Sequence, residues 1–187
     1  MCESVPMRIT YETGLGLFSN EVAPGLFMGL PGVATFEDAE LEGALYDVKM
    51  TLDMTAEGIR PTSVTVTAQQ DSPAVTGTTL RALRVWDLAR EAILIGVSRG
   101  TRTDTKDGSF EVGIMGSALP NEEVARLRAQ GPTDETLGWV AYFYKLGDVL
   151  GLPPAKQVEV SLQLPRTTAS KWVRRAREKG LIADGKH

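Results

Sequence analysis

The sequence is short of the residues that build reactive and metal-binding sites. Its 187 residues include one cysteine, Cys2, and one histidine, His187. A single cysteine cannot form an internal disulfide, and these two residues cannot supply the ligands of a zinc site. The chain also has no histidine within its body to act as a general base. We therefore expect no cofactor, no metal and no catalytic residue.

Long apolar runs are missing as well. None approaches the ~20 residues that span a bilayer, and the first residues lack the basic start and apolar core of a signal peptide. These features predict a cytoplasmic protein that does not associate with membranes. The overall composition, 42% apolar and 24% charged residues, is typical of a globular chain.

The charge is distributed unevenly along the chain. Residues 154–187 contain eight basic and three acidic residues, a net charge of +5. Since the whole chain carries -4, the remaining residues carry -9. This asymmetry indicates a basic contact surface attached to an acidic body.

Residues 1–118 predict an α+β domain, rich in antiparallel strands and containing one helix. Alternating apolar residues predict strands over 44–54 and 63–68, and a third candidate strand covers 75–85. Helical spacing over 86–94 follows, and the polar stretch 100–109 predicts a loop or linker. Before residue 44 the glycines indicate only turns between short strands.

An enzyme is the weakest hypothesis for this acidic part of the chain. Carboxylates there are of a type that binds magnesium, but their spacing matches no known motif, and acidic residues on strand edges usually serve solvation. They are Asp38, Glu40, Glu42, Asp47 and Asp53. We therefore expect a protein that is not an enzyme.

Residues 119–187 predict an all-α domain. Asn121 is expected to cap a helix that ends at Gly131, and Thr133 to cap a second helix that ends at Gly151. Aromatic and apolar residues recur on the second helix at three- and four-residue steps. We interpret this stripe as a packing face and not as a cofactor pocket.

Two further helices are predicted near 154–162 and 166–179, joined by a turn at 163–165 and ended by Gly180. The apolar residues of this segment are spaced to face one another across the two helices. They are Val158, Leu162, Leu164, Ala169, Trp172, Val173 and Ala176. The opposite side of the longer helix is polar and basic, an arrangement suited to the major groove of DNA.

This segment resembles the helix-turn-helix DNA-binding family. It is most similar to the C-terminal units of small uncharacterised actinobacterial and actinophage proteins. The matching residues are Val158, Leu162, Leu164, Thr168, Ala169, Trp172, Val173, Ala176, Arg177, Gly180 and Leu181. Two positions depart from the motif: Glu159 replaces a small residue, and Gln163 replaces the usual turn glycine. We expect Gln163 to lie in a strained or altered turn, and Glu159 to point outward or to pair with an arginine.

Eight residues of the second helix are predicted to contact DNA. Those expected at base edges or in the groove are Arg166, Thr167, Ser170 and Lys171. Those expected at phosphates, which position a protein without specifying sequence, are Arg174, Arg175 and Lys179. Thr168 is expected either to cap the helix or to touch a phosphate, and Arg177 to anchor locally beside the apolar stripe.

The resemblance implies a double-stranded DNA-binding protein, and we expect a transcriptional regulator. One such unit buries little surface, so a homodimer is expected, with the acidic N-terminal domain as its dimerisation or partner-binding element. Two alternatives stay open. One is an accessory protein for phage or mobile-element DNA packaging or recombination, and the other is a helix-turn-helix-shaped module for protein contact.

Overall fold

The computed structural model describes residues 7–14, 20–104, 110–116 and 119–183 of the chain. Within these ranges the strands are β1 Arg8–Thr13, β2 Asn20–Ala23, β3 Leu26–Met28, β4 Gly32–Leu41, β5 Ala44–Thr55, β6 Gly58–Ala68, β7 Val97–Asp104 and β8 Phe110–Gly116. The helices are α1 Gly77–Ala82, α2 Val85–Gly96, α3 Asn121–Gln130, α4 Asp134–Val149, α5 Pro154–Ser161 and α6 Arg166–Glu178. Antiparallel sheets and separate helices confirm the predicted α+β class.

The described residues form two compact units. The first takes its residues from 1–20 and 28–97, and the second from 21–27 and 98–187. The division into domains at 1–118 and 119–187 stays a prediction.

The first unit contains a four-stranded sheet in the order β1-β4-β5-β6. The predicted strands over 44–54 and 63–68 are confirmed as β5 and β6, which pair antiparallel. Alternate residues of β5 from Tyr46 to Leu52 are buried, whereas Met54 is exposed. Helix α2, predicted over 86–94, packs against β1 and β6, which gives the sheet one covered face.

Strands β1 to β4 lie where the sequence predicted turns between short strands without giving their bounds. The β4–β5 connection is a tight turn in which Glu42 and Gly43 both have positive φ, 54° and 79°. Two central residues of this kind form the tight turn that suits the twist of an antiparallel hairpin. Glycine at the second position adopts this positive φ without steric strain, because it has no Cβ.

Two predictions in the middle of the chain are wrong. The candidate strand over 75–85 contains α1, because Thr76 and Thr79 form a capping box in which each side chain accepts the other's backbone N–H. The predicted loop over 100–109 is strand β7 up to Asp104, since its backbone pairs with β8. Residues 105–109 lie outside the described residues.

The four helices of the second unit lie where the sequence predicted them. Thr133 caps α4 as expected, its hydroxyl accepting the backbone N–H of Thr136. The prediction that Asn121 caps α3 is wrong. Pro120 occupies the cap position in an extended conformation, with ψ at 149°, and Asn121 is the first helical residue.

Three consecutive helices end with the same backbone motif. After α4, α5 and α6 the chain turns through one residue with positive φ: Gly151 at 63°, Gln163 at 49° and Gly180 at 72°. After α6, for example, Gly180 N–H donates to the Arg177 carbonyl and Leu181 N–H donates to the Ala176 carbonyl. These two bonds satisfy carbonyls that the helix would otherwise leave unpaired.

Gln163 and Gly180 make a matched pair for a stability test. The left-handed conformation costs a side-chain-bearing residue about 1–2 kcal/mol. No other atom lies within 4 Å of a Cβ built on Gly180, so Gly180→Ala should lower the free energy of unfolding by about 1 kcal/mol through the backbone alone. Gln163→Gly should raise it. Urea denaturation of both variants tests this, and equal effects of the same sign would contradict it.

Candidate nucleic-acid interface

The candidate interface is built on three packed helices. Helix α4 packs against both α5 and α6, and α5 packs against α6. The seven apolar residues predicted to face one another on α5, the turn and α6 are all buried. Val158 and Leu162 are fully buried on and after α5, while Trp172 of α6 is 7% exposed. The predicted apolar seam of the helix pair is therefore confirmed.

A glycine on α4 permits the close approach of α5. A Cβ added at Gly147 would lie 2.8 Å from the Cα of Pro154 and 2.9 Å from the Cβ of Gln157. Contacts that short do not occur without displacement, so no side chain fits there. The sequence-based interpretation missed this role. Its only signal was a glycine inside a helical pattern, which often marks close packing.

The opposite side of α6 is exposed and polar. Seven of the eight residues predicted to contact DNA are exposed, and Thr168 is half-buried. The exposed ones are Arg166, Thr167, Ser170, Lys171, Arg174, Arg175 and Lys179. These seven residues lie on the solvent side of α6 and at its C-terminal end, and are called the α6 face. Their contact with DNA stays a prediction.

The α6 face carries little negative charge. The first turn of α6 has no acidic residue and no side-chain cap, so the positive end of the helix dipole adds to the charge of Arg166. Glu178 is the acidic residue of this helix, and it lies 3.5 Å from Arg174. Within the described residues, Lys171 and Arg175 form no ion pair, which leaves their charges available to a partner.

The ammonium group of Lys179 is less available for a DNA phosphate than the sequence suggested. Its ammonium donates to the carboxylate of Asp134, at the start of α4. Nothing in the spacing along α6 could have indicated this pair, because Asp134 is 45 residues away. Lys179 is therefore a weaker candidate for a phosphate contact than Arg175, which forms no ion pair within the described residues.

Arg177 and Thr168 were considered for structural roles, and the structure supports that of Arg177. Arg177 donates to the hydroxyl of Tyr144 at 2.6 Å and lies 5.2 Å from the centre of its ring, which confirms the predicted local anchor. Helix α6 has no side-chain cap, so the capping role considered for Thr168 is wrong. Pro165 takes the cap position, and the Thr168 backbone N–H bonds to its carbonyl.

The two departures from the family motif are accommodated at the end of α5. Gln163 adopts the positive φ expected of a strained turn. Glu159 is paired, but its partner is Lys156, at 2.5 Å, and not an arginine. Lys156 is three residues earlier on the same helix, which puts its ammonium within reach. Glu159 therefore does not prevent the helices from crossing.

Two of the five carboxylates considered for magnesium accept hydrogen bonds from the same side chain. Gln69 donates from its Nε2 atom to both Asp38 and Asp47, at 2.9 Å each. Asp38 itself has a positive φ of 60° where the β4–β5 register shifts. Among the described residues, no three Cys, His, Asp or Glu side chains converge to hold a metal ion.

The comparisons with known proteins add no identification. No protein-family model matches the chain, and neither a curated protein nor a solved structure matches it. In the described part of the chain, none of the helices combines the length and apolarity needed to cross a bilayer.

Proposed function

We propose that the chain binds double-stranded DNA by placing α6 in the major groove, and that it acts as a transcriptional regulator. The observation that supports this most is the division of α6 into two sides. One side is a buried apolar seam held by α4 and α5, and the other is the exposed, basic α6 face. A recognition helix needs both: a rigid support and donors that reach base edges and phosphates.

The chemistry of the α6 face favours nucleic acid over a protein partner. Every exposed side chain of this helix is polar or charged. Protein interfaces are usually enriched in aromatic residues and methionine, as well as arginine, and the exposed side of α6 has neither an aromatic residue nor a methionine. A surface of three arginines and two lysines instead matches a chain of phosphates, whose counterions it can displace.

A regulator of this size needs a second contact to bind tightly. A single helix-turn-helix unit buries little surface, and two units on one face of DNA read half-sites about one helical turn apart. We propose a homodimer that reads an inverted repeat. The acidic N-terminal part would supply the dimer contact or bind a protein partner, and the cytoplasm is the expected compartment.

Arg174→Ala tests the proposed DNA contact. Because phosphate contacts do not depend on sequence, the variant should bind all duplexes more weakly. The slope of log K against log salt concentration should also become less steep by about 1. Fluorescence anisotropy with labelled duplexes measures both quantities. Arg128→Ala, which removes an exposed arginine from α3, is the matched control. If both variants bind like the wild type, Arg174 does not contact DNA.

A further inference from the structure

The second unit contains a cleft that the DNA-binding proposal does not use. Its volume is about 250 Å³. The residues that matter for its chemistry are Gly25, Arg99, Gly100, Gly138, Tyr142 and Lys145. A water molecule occupies ~30 Å³ in the liquid, so this space, the Arg99 cleft, has room for a small ligand.

Two cations line the Arg99 cleft without a carboxylate partner among the described residues. The guanidinium of Arg99 lies 4.6 Å from the ring centre of Trp139. The ammonium of Lys145 donates to the carbonyl of Pro24 at 3.1 Å. Neither contact neutralises its charge. Burial lowers the pKa of Lys145, and the carboxylate of Glu21 opposes this shift.

Two carboxylates act electrostatically on these cations, Glu21 on Lys145 and Glu135 on Arg99, and both also accept hydrogen bonds from other groups. Glu21 accepts the backbone N–H of Gly25 at 2.9 Å. Glu135, whose pKa is lowered mainly by hydrogen bonds from Arg126 and slightly by Arg99, binds the Arg126 guanidinium through both oxygens. Among the residues that line the cleft, Arg99 and Lys145 are positively charged and none is acidic.

The remaining lining residues leave space and add no negative charge. A Cβ on Gly138 would lie 3.7 Å from the Arg99 guanidinium, so the glycine keeps the approach to that group open. Burial raises the pKa of Tyr142 to about 12, against the opposing charge of Arg99. Its hydroxyl is therefore protonated at neutral pH, and it cannot neutralise the two cations.

We propose that the Arg99 cleft is a binding site for a small oxyanion, a phosphate or carboxylate group, held by Arg99 and Lys145. Charge-assisted hydrogen bonds from such groups are among the strongest in proteins. The planar guanidinium of Arg99 suits two oxygens of one anion, and Lys145 adds a point charge. This site is separate from the α6 face and does not depend on DNA binding.

NMR titration of the full chain, without DNA, tests the site. Inorganic phosphate and succinate are added in separate series at constant ionic strength, with chloride as the reference. The amide signals of Gly25, Gly100 and Gly138 should shift and saturate with at least one of the two anions, which also tells phosphate from carboxylate. Absence of saturation with both anions would overturn the proposal.

Two variants assign the binding to the cleft. Arg99→Gln should raise the dissociation constant about tenfold or more, because a charged hydrogen bond is lost. Arg128→Gln, the same change on α3, should alter it less than twofold. If Arg99→Gln does not fold, Lys145→Gln replaces it, since glutamine can still donate to the Pro24 carbonyl. Unchanged affinity in the folded variant, or shifts confined to the α6 face, would contradict the proposal.

Discussion

Replacing Trp172 with alanine should lower the free energy of unfolding by about 3–5 kcal/mol. Trp172 is the largest side chain of the seam, 7% exposed, and α6 packs against both α4 and α5. Removing it leaves a cavity that the surrounding helices cannot fill. A typical domain is stable by only about 5–15 kcal/mol, so the loss would be severe. Urea denaturation followed by the helical circular dichroism signal measures it.

The neighbouring residue Lys171 provides the control for that experiment. It is exposed on the α6 face, so Lys171→Ala should change stability by less than about 0.5 kcal/mol. The same variant should nevertheless bind DNA more weakly. A loss of less than about 1 kcal/mol in Trp172→Ala would mean that the seam does not hold α6.

Removing four positive charges from the α6 face should reduce DNA affinity by about a hundredfold or more at low salt. Each charged contact contributes on the order of 1–3 kcal/mol. The variant carries glutamine in place of Arg166, Lys171, Arg174 and Arg175. All four positions are exposed, so the fold should persist, and the salt dependence of any remaining binding should nearly disappear.

A second variant with the same loss of charge separates the α6 face from a general charge effect. Its four glutamines replace exposed cations elsewhere, namely Lys49, Arg81, Arg84 and Arg128. This variant should lose far less affinity than the first one. Equal losses in the two variants would show that DNA responds to net charge and not to α6.

The C-terminal helices were predictable because their signals are local. Apolar residues at three- and four-residue steps, a threonine cap at residue 133 and a glycine at residue 180 each act within one helix. The bounds of strands β1 to β4 were not predictable, because a strand before residue 44 is stabilised by pairing with residues distant in the sequence. Its glycines and short apolar segments show nothing of those partners. Helix α1 was also missed, because the β propensity of threonine and valine suggested a strand there, whereas the capping box of Thr76 and Thr79 favours a helix.

In the candidate site, too, features within one segment were predicted, and contacts between distant segments were not. Burial of the seam and exposure of the α6 face follow from helical periodicity within one segment. The ion pair between Lys179 and Asp134 and the close packing at Gly147 join segments far apart in the chain. The Arg99 cleft was not predicted at all, since Arg99 and Lys145 come from a strand and a helix 46 positions apart.

Binding of the wild-type chain to random and genomic DNA fragments across a salt series is the most direct test of the central proposal. We predict tight binding at low salt, steep weakening as salt increases, and selection of fragments that contain an inverted repeat. Binding without selection would favour a packaging or recombination role. No binding even at low salt would contradict DNA recognition by α6.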